Sequence, residues 1–367
     1  MKKVNLKLIV LSILILLLIN LILTFFLQPI IIEYLNNNRA FPTINYLVNL
    51  VYPRFLVESQ RFSVDFFLGK FHQIILRFDI VYCFILATYY VYKSKNSIFE
   101  FISNTKPNVP KPKYILILST IFYSGCIIYT YDWYIILLQL QNFALLYKPV
   151  SILNFFQRSY PSNLTIHVIC IAYYISLVLV IVQKRKFIPS VIIAICFFYQ
   201  LGLQQSFEKI DHTYASFGYG ILLMPIALYY NGKNQNAVRE ILFLIQISIG
   251  LCYFFSGLEK VLVSGIHWFN GDNFEAHLHL HDTNFKFLLN QKWLIIVLAN
   301  CAIFLQLFFI SSILLKKLRL IFISGGILFH WGTVILLGVG SFYSPWIFMY
   351  IFLLNEKTSI FNIKKFL

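Results

Sequence analysis

Long uninterrupted runs of apolar residues dominate the chain, and short breaks rich in lysine, arginine and asparagine separate them. Residues 8–27, "LIVLSILILLLINLILTFFL", contain no charged residue at all. Runs of roughly 17–25 apolar residues are long enough to cross a bilayer as helices, whereas an outer-membrane barrel shows segments of about ten alternating residues. Because backbone groups inside a bilayer must pair within the protein, the pattern predicts an all-α polytopic membrane protein.

The pattern predicts a bundle of about nine to ten transmembrane helices. The stretch 133–148, "WYIILLQLQNFALLYK", is ambiguous, because it could lie in the membrane interface or re-enter the bilayer, and the last span is short. The predicted spans are 7–32, 72–92, 114–131, 165–182, 188–205, 213–230, 240–263, 293–315, 319–340 and 342–354.

Basic residues alternate between dense and sparse breaks along the chain. Nineteen of the 30 lysine and arginine residues lie in six breaks, which are residues 2–7, 93–113, 184–186, 233–239, 316–319 and 357–365. Cytoplasmic loops carry an excess of such residues. Ten spans therefore place both termini in the cytoplasm and the loops 33–71, 132–164 and 264–292 on the outer side.

Composition supports the same class of protein. Hydrophobic residues make up 59% and charged residues 12% of the 367 positions, and the mean hydropathy is +0.75. Soluble domains are nearer half apolar and a quarter charged. The net charge of +16 is explained by residues that orient the chain, so the lipid bilayer is the expected partner and nucleic acid is not.

Three regions are predicted along the chain, and no large soluble domain is among them. Residues 1–70 form an N-terminal membrane anchor helix with an outer loop, residues 71–355 a helical membrane domain, and residues 356–367 a short cytoplasmic tail. The first apolar run is too long for a signal-peptide core and has no small-residue cleavage site after it, so we expect it to be retained.

Lys260 is the most informative charged residue inside a predicted span. On a helix it shares a face with Ser256 and Tyr253, four and seven residues earlier, while Glu259 points about 100° away. One interpretation is a lysine that extends to the interface and pairs with an acid. The other is a desolvated lysine whose neutral amine serves as a base. Chain position alone slightly favours the first.

Two histidines and one charged pair are further candidates. His330 lies near the middle of the ninth predicted span, where it predicts a polar cavity or a hydrogen bond between helices. Small residues that flank it would let a helix or a flat ligand approach; these are Gly325, Gly326 and Gly332. His212 precedes the sixth span among acids, and by itself it indicates no site. Arg77 and Asp79 are two positions apart, so they face away from each other and favour a structural role.

A cluster of three histidines occurs in "HLHLH", residues 277–281. His277, His279 and His281 share a face if this segment is extended, and such a trio could bind zinc or copper. Nothing else nearby completes a metal site, so no metal is predicted.

Three stretches resemble motifs of the vitamin K-dependent gamma-carboxylase superfamily, over the membrane portion called HTTM. The first is "YFFSGLEKVLVSGIHWFNGD", which has the small-Gly-aliphatic, Lys and Trp-x-x-Gly pattern. The second is "DHTYASFGYGILLMP", and the third is "LFHWGTVILLGVGSFYSP". The matching positions are Ser256, Gly257, Lys260, Trp268 and Gly271 in the first stretch, His212 and Tyr214 in the second, and Phe329, His330 and Phe342 in the third. The resemblance covers roughly residues 70–355.

The resemblance implies a site that binds a reduced quinone of the vitamin K or menaquinone type. Lys260 would be the base that deprotonates it, the resulting anion would take up O₂ and give the epoxide, and His212 and His330 would position or hydrogen-bond the ligand. The implied pocket residues are Tyr253, Ser256, Gly257, Tyr214, Trp268 and Phe342. A quinol is flat and apolar, which suits an intramembrane pocket with few polar groups.

Two departures from the family pattern leave the function open. Glu259 stands where carboxylases commonly have a second lysine, and the large domain that holds a carboxylase's substrate peptide is not expected here. One hypothesis is therefore an enzyme for oxygen-dependent quinol epoxidation or peptide modification at the outer face. The alternative is a non-enzymatic factor for maturation or export of a small secreted peptide, similar to SdpB-like proteins of this size. Either role predicts a multi-pass protein of the bacterial inner membrane.

Overall fold

The computed structural model describes residues 6–37, 41–51, 55–93, 106–150, 153–183, 185–207, 214–280, 285–342 and 344–354. These residues form helices and connections and contain no strand. The α-helices are α1 Leu6–Ile22, α2 Gln28–Asn36, α3 Pro42–Val51, α4 Phe55–Arg61, α5 Val64–Lys93, α6 Pro112–Thr130, α7 Trp133–Leu140, α8 Leu153–Phe156, α9 Asn163–Val182, α10 Phe187–Gln205, α11 Ala215–Tyr230, α12 Gln235–Ser264, α13 Ile266–Phe269, α14 Asp272–Leu280, α15 Lys292–Phe308, α16 Ser311–Leu314, α17 Arg319–Leu337 and α18 Pro345–Met349.

The chain divides into two compact units. The first comprises the described parts of Met1–Asn104, Ala144–Tyr160 and Gln205–Glu208. In this unit α1 continues through the π-helical turn Leu23–Leu27 into α2. The Asn20 side-chain amide donates to both carboxylate oxygens of Asp79 on α5, at 3.0 Å each. The acid predicted to be structural thus joins two helices of one unit.

The second unit comprises the described parts of Thr105–Phe143, Pro161–Gln204 and Lys209–Leu367. Helix α12 runs through the middle of this unit and packs against α11 on one side and α15 on another. Its apolar core is continuous and draws on α6, α9, α10, α11, α12 and α18. The candidate site residues that the structure describes belong to this unit, apart from the charged pair Arg77 and Asp79, which lies in the first unit.

Six helices are long and apolar enough to cross a membrane, in the part of the chain that the structure describes. Some of these stretches join neighbouring helical elements into one continuous helix. The six are Val10–Asn36, Pro112–Leu146, Asn163–Val182, Phe187–Gln205, Gln235–Ser264 and Lys316–Leu337. The helices Ala215–Tyr230 and Lys292–Phe308 are apolar but shorter. An all-helical fold is therefore confirmed for the described residues, and these apolar helices fit an integral membrane protein, whereas the count of nine to ten spans stays a prediction.

Some predicted spans differ from the observed helices. The predicted span 293–315 is broken, because α15 ends at Phe308 and the chain turns before the short helix α16. The predicted span 342–354 is a short helix, α18, followed by the 3₁₀ turn Tyr350–Leu353. The ambiguous stretch 133–148 is helical from Trp133 and tightens into a 3₁₀ turn at Gln141–Leu146. Apolar composition marks these segments, but it carries no signal for the turns that interrupt them.

Candidate functional site

Helix α12 presents Tyr253, Ser256 and Lys260 along one face. These positions are three and four residues apart, which is the spacing that aligns side chains along a helix. The Lys260 Nζ donates to the Ser256 Oγ at 3.2 Å, and all three side chains line one cavity. The polar strip inferred from helical spacing is thus a wall of that cavity.

Glu259 takes a different direction from Lys260. Its side chain is exposed, whereas Lys260 is partly buried. The Nζ atom of Lys260 lies 5.6 Å from the ring centroid of Trp268. Trp268, one of the matching positions of the first sequence motif, is therefore a neighbour of the lysine.

Tyr253 is the centre of a hydrogen-bond network that joins three helical segments. Its hydroxyl lies 2.5 Å from the His330 Nε2 on α17 and 2.5 Å from the Tyr350 hydroxyl that follows α18. Tyr253 and Tyr350 are 2% and 3% exposed. His330 thus makes the inter-helix hydrogen bond that its position predicts.

Glycines on α17 make this arrangement possible. A Cβ atom at Gly326 would lie 1.9 Å from the Tyr350 hydroxyl oxygen, so only glycine lets that hydroxyl reach its place. Gly325 lies against Leu305 of α15 and, with Gly332, forms part of a cavity wall. Gly325 and Gly326 therefore allow close packing against neighbouring side chains, and Gly325 and Gly332 border the larger cavity.

Two cavities share Lys260 and Phe329 in their walls. The larger has a volume of about 540 Å³ and a predominantly apolar lining. The smaller has a volume of about 190 Å³, and polar side chains form more of its wall. The larger cavity is lined by Lys260, Trp268, Phe274, His277, Leu298, Cys301, Ala302, Leu305, Gly325, Leu328, Phe329, Gly332, Thr333, Leu336, Leu337 and Val339. The smaller cavity is lined by Tyr253, Ser256, Lys260, Gln306, Phe329, His330 and Trp346.

Gly257 brings α12 and α15 together beside the smaller cavity. A Cβ atom at this position would lie 2.9 Å from the Gln306 Cβ and 3.0 Å from the Leu307 backbone nitrogen. Such distances are shorter than ordinary packing contacts allow. Gly257 therefore fixes how closely Gln306 approaches the strip of Ser256 and Lys260.

The segment after α12 forms part of the larger cavity and carries a group of ion pairs. The Lys292 Nζ lies 3.0 Å from Asp272 and 2.5 Å from Glu275, and the His267 Nδ1 lies 3.0 Å from Asp272. Hydrogen bonds from His267, and then from Lys292, hold the pKa of the Asp272 carboxyl below its usual value. These pairs join α13 and α14 to the start of α15.

The histidine cluster does not have the geometry expected of an extended segment. Residues 272–280 are helical, so His277 and His279 point in different directions. His277 lines the larger cavity, His279 is exposed, and His281 lies outside the described residues. The condition for a common face was an extended segment, and the helix does not meet it for the two side chains that are described.

Three other predicted site residues lie away from the cavities or outside the described residues. The Tyr214 ring packs against Trp133, with centroids 5.3 Å apart, and lines neither cavity. Phe342 also lines neither, and its backbone carbonyl accepts from the Trp331 indole at 3.3 Å. His212 lies outside the described residues.

Several side chains of the cavities were not singled out as pocket residues from the sequence, and three of them carry polar groups that could contact a ligand. Gln306 and Trp346 line the smaller cavity, and His277 lines the larger one. Gln306 and Trp346 lie in apolar runs and have no charge to mark them. His277 carried a signal, but that signal was interpreted as a possible metal ligand.

Comparison with known proteins agrees with the sequence motifs. No curated protein and no solved structure matches the chain. Residues 226–358 match the family model of the HTTM domain. This stretch includes α12, α15 and α17, and with them Lys260, Gln306 and His330. Residues 226–358 are therefore similar to the HTTM domain, and the apolar helices of the chain fit an integral membrane protein.

Proposed function

We propose that the HTTM domain binds a reduced quinone of the vitamin K or menaquinone type, and that Lys260 is the base that takes a proton from it. The observation that carries this proposal is the position of Lys260, which lines both an apolar and a polar cavity. An amphipathic ligand that occupied both would contact this amine.

The volumes and linings of the cavities suit a ring with an apolar extension. The larger cavity, at about 540 Å³, falls within the range of ordinary ligand pockets, which is about 300–1,000 Å³. The smaller cavity offers the aromatic faces of Trp346 and Phe329 and several polar groups. We place the oxygen-bearing ring near these polar groups and the apolar substituent in the larger cavity.

The chemistry that this arrangement supports begins with a proton transfer. A phenol-type hydroxyl of the ligand gives its proton to the Lys260 Nζ, while Ser256 holds the amine by its hydrogen bond. The network of Tyr253, His330 and Tyr350 forms a fixed polar boundary beside the ring. In the overall reaction one quinol and one O₂ give one quinone epoxide and one water.

The test is turnover of a reduced menaquinone by the purified protein in lipid nanodiscs. We expect the epoxide to form in the presence of O₂ and to be detected by mass spectrometry. Lys260→Met should lower the rate by about 10²–10⁴-fold, the usual contribution of general base catalysis. Lys317→Met is the matched control, since this lysine is exposed and lines neither cavity.

Two results would contradict the proposal. A folded wild-type protein that gives no epoxide contradicts the reaction. If Lys260→Met and Lys317→Met lose activity equally, the role of Lys260 as the base is contradicted.

A further inference from the structure

Gln306 is a buried polar residue without a complete set of partners. It is 3% exposed, and its carboxamide oxygen makes no hydrogen bond to any residue in the described part of the chain. The residue lines the smaller cavity. A buried amide atom left without a hydrogen bond costs free energy, so a ligand group that reached this carboxamide and bonded to it would be stabilised.

The place of Gln306 is fixed by packing. Gly257 lies against the Gln306 Cβ and the backbone of Leu307, so α15 cannot move closer to α12. One turn further on, the Phe309 ring stacks on Tyr253 with centroids 4.1 Å apart. The two contacts hold the side chain at the wall of the cavity.

The amine, hydroxyl and imidazole groups of this cavity already have protein partners. Lys260 donates to Ser256, and the Tyr253 hydroxyl is bonded to both His330 and Tyr350. The Gln306 carboxamide therefore differs from its neighbours, because its hydrogen-bonding capacity is not used within the described structure.

We infer that Gln306 recognises an oxygen substituent on the ring of the bound ligand, and so selects an oxygenated ring over a hydrocarbon ring of the same shape. This inference rests on the proposed function, since it assigns a further contact within that site. A carboxamide both donates and accepts hydrogen bonds, so it matches a hydroxyl or a carbonyl. The ligand class is a flat aromatic ring that carries oxygen at its edge.

The test compares two probes of the same shape. One is 2-methyl-1,4-naphthoquinol, held under anaerobic conditions, and the other is 2-methylnaphthalene, which lacks the oxygen atoms. Affinities are measured from the quenching of tryptophan fluorescence in nanodiscs. We expect Gln306→Leu to weaken binding of the quinol about tenfold, the effect of one hydrogen bond, and to change binding of the hydrocarbon by less than about twofold.

Gln200→Leu is the control for loss of a buried glutamine. Gln200 is fully buried, also has a side-chain amide atom without a partner among the described residues, and lines neither cavity. This variant should bind both probes as the wild type does. Thermal unfolding of both variants, compared with the wild type, shows that each is folded.

Each outcome either supports or contradicts the proposed role of Gln306. A selective loss of quinol affinity in Gln306→Leu supports the inference. An equal loss for both probes, or no loss, overturns it while the proposed function stands. If the wild-type protein binds neither probe, both the proposed function and this assignment are wrong.

Discussion

At the scale of single residues, the Tyr253 hydroxyl links side chains that are far apart along the chain. It bonds to His330 and Tyr350, which lie 77 and 97 positions away. All three groups lie within residues 226–358, the stretch that matches the HTTM family model, and Tyr253 is almost completely buried. Removing this hydroxyl leaves two polar groups without their partner, which costs more than the loss of one hydrogen bond.

Tyr253→Phe should therefore destabilise the protein by about 1–3 kcal/mol, the desolvation cost of buried groups left unpaired. Tyr350→Phe should cost less, because the hydrogen bond between Tyr253 and His330 remains. The measurement is the unfolding of both variants in the same detergent, monitored by circular dichroism. Equal destabilisation by the two variants would show that Tyr253 is not the centre of the network.

Helical spacing was sufficient to predict the strip of Tyr253, Ser256 and Lys260, because a regular helix fixes which side chains share a face. Gln306 was not predicted. A neutral amide in an apolar run resembles any other helix residue until the packing of that helix is known. Its position depends on Gly257, which lies 49 residues earlier in the sequence.

At the scale of helices, two glycines on α12 determine how close this helix lies to its neighbours. Gly250 and Gly257 are seven residues apart and lie on nearly the same face. A Cβ atom at Gly250 would lie 2.5 Å from Ile313 and 3.3 Å from the Ile310 Cα. Close approach through small residues is a common way for membrane helices to pack.

Gly257→Ala should destabilise the domain by about 1–3 kcal/mol, since the added methyl group meets the backbone of Leu307 and forces α12 and α15 apart. Gly332→Ala is the matched control. Nothing lies within 4 Å of a Cβ atom at Gly332, and alanine is favoured over glycine within a helix. Unfolding in detergent is the measurement, and a stability of Gly257→Ala equal to that of the control would contradict the close packing.

At the scale of the whole molecule, the apolar runs were enough to predict an all-α membrane protein. They were not enough to predict where helices end, because the turn after Phe308 lies inside an apolar run. The motifs predicted the match of residues 226–358 to the HTTM family model, since they rest on residue types at particular spacings. The orientation of the chain follows from its basic residues and stays a prediction.

Orientation can be tested with single cysteines in a background that lacks the exposed Cys83 and Cys301. The excess of lysine in residues 93–113 predicts a cytoplasmic loop, and the sparse loop 264–292 is predicted to lie outside. A membrane-impermeant maleimide should therefore label His279→Cys in intact cells. Val109→Cys should be labelled only after the cells are permeabilised, and the reverse pattern would invert the topology.

The wall that the two cavities share has a consequence for the design of ligands. A fragment in the apolar cavity and a fragment in the polar cavity would both contact Lys260 and Phe329. Binding free energies add only for sites without common partners. A screen that ranks fragments for each cavity separately would therefore misjudge a linked compound, and pairs of fragments need to be ranked together.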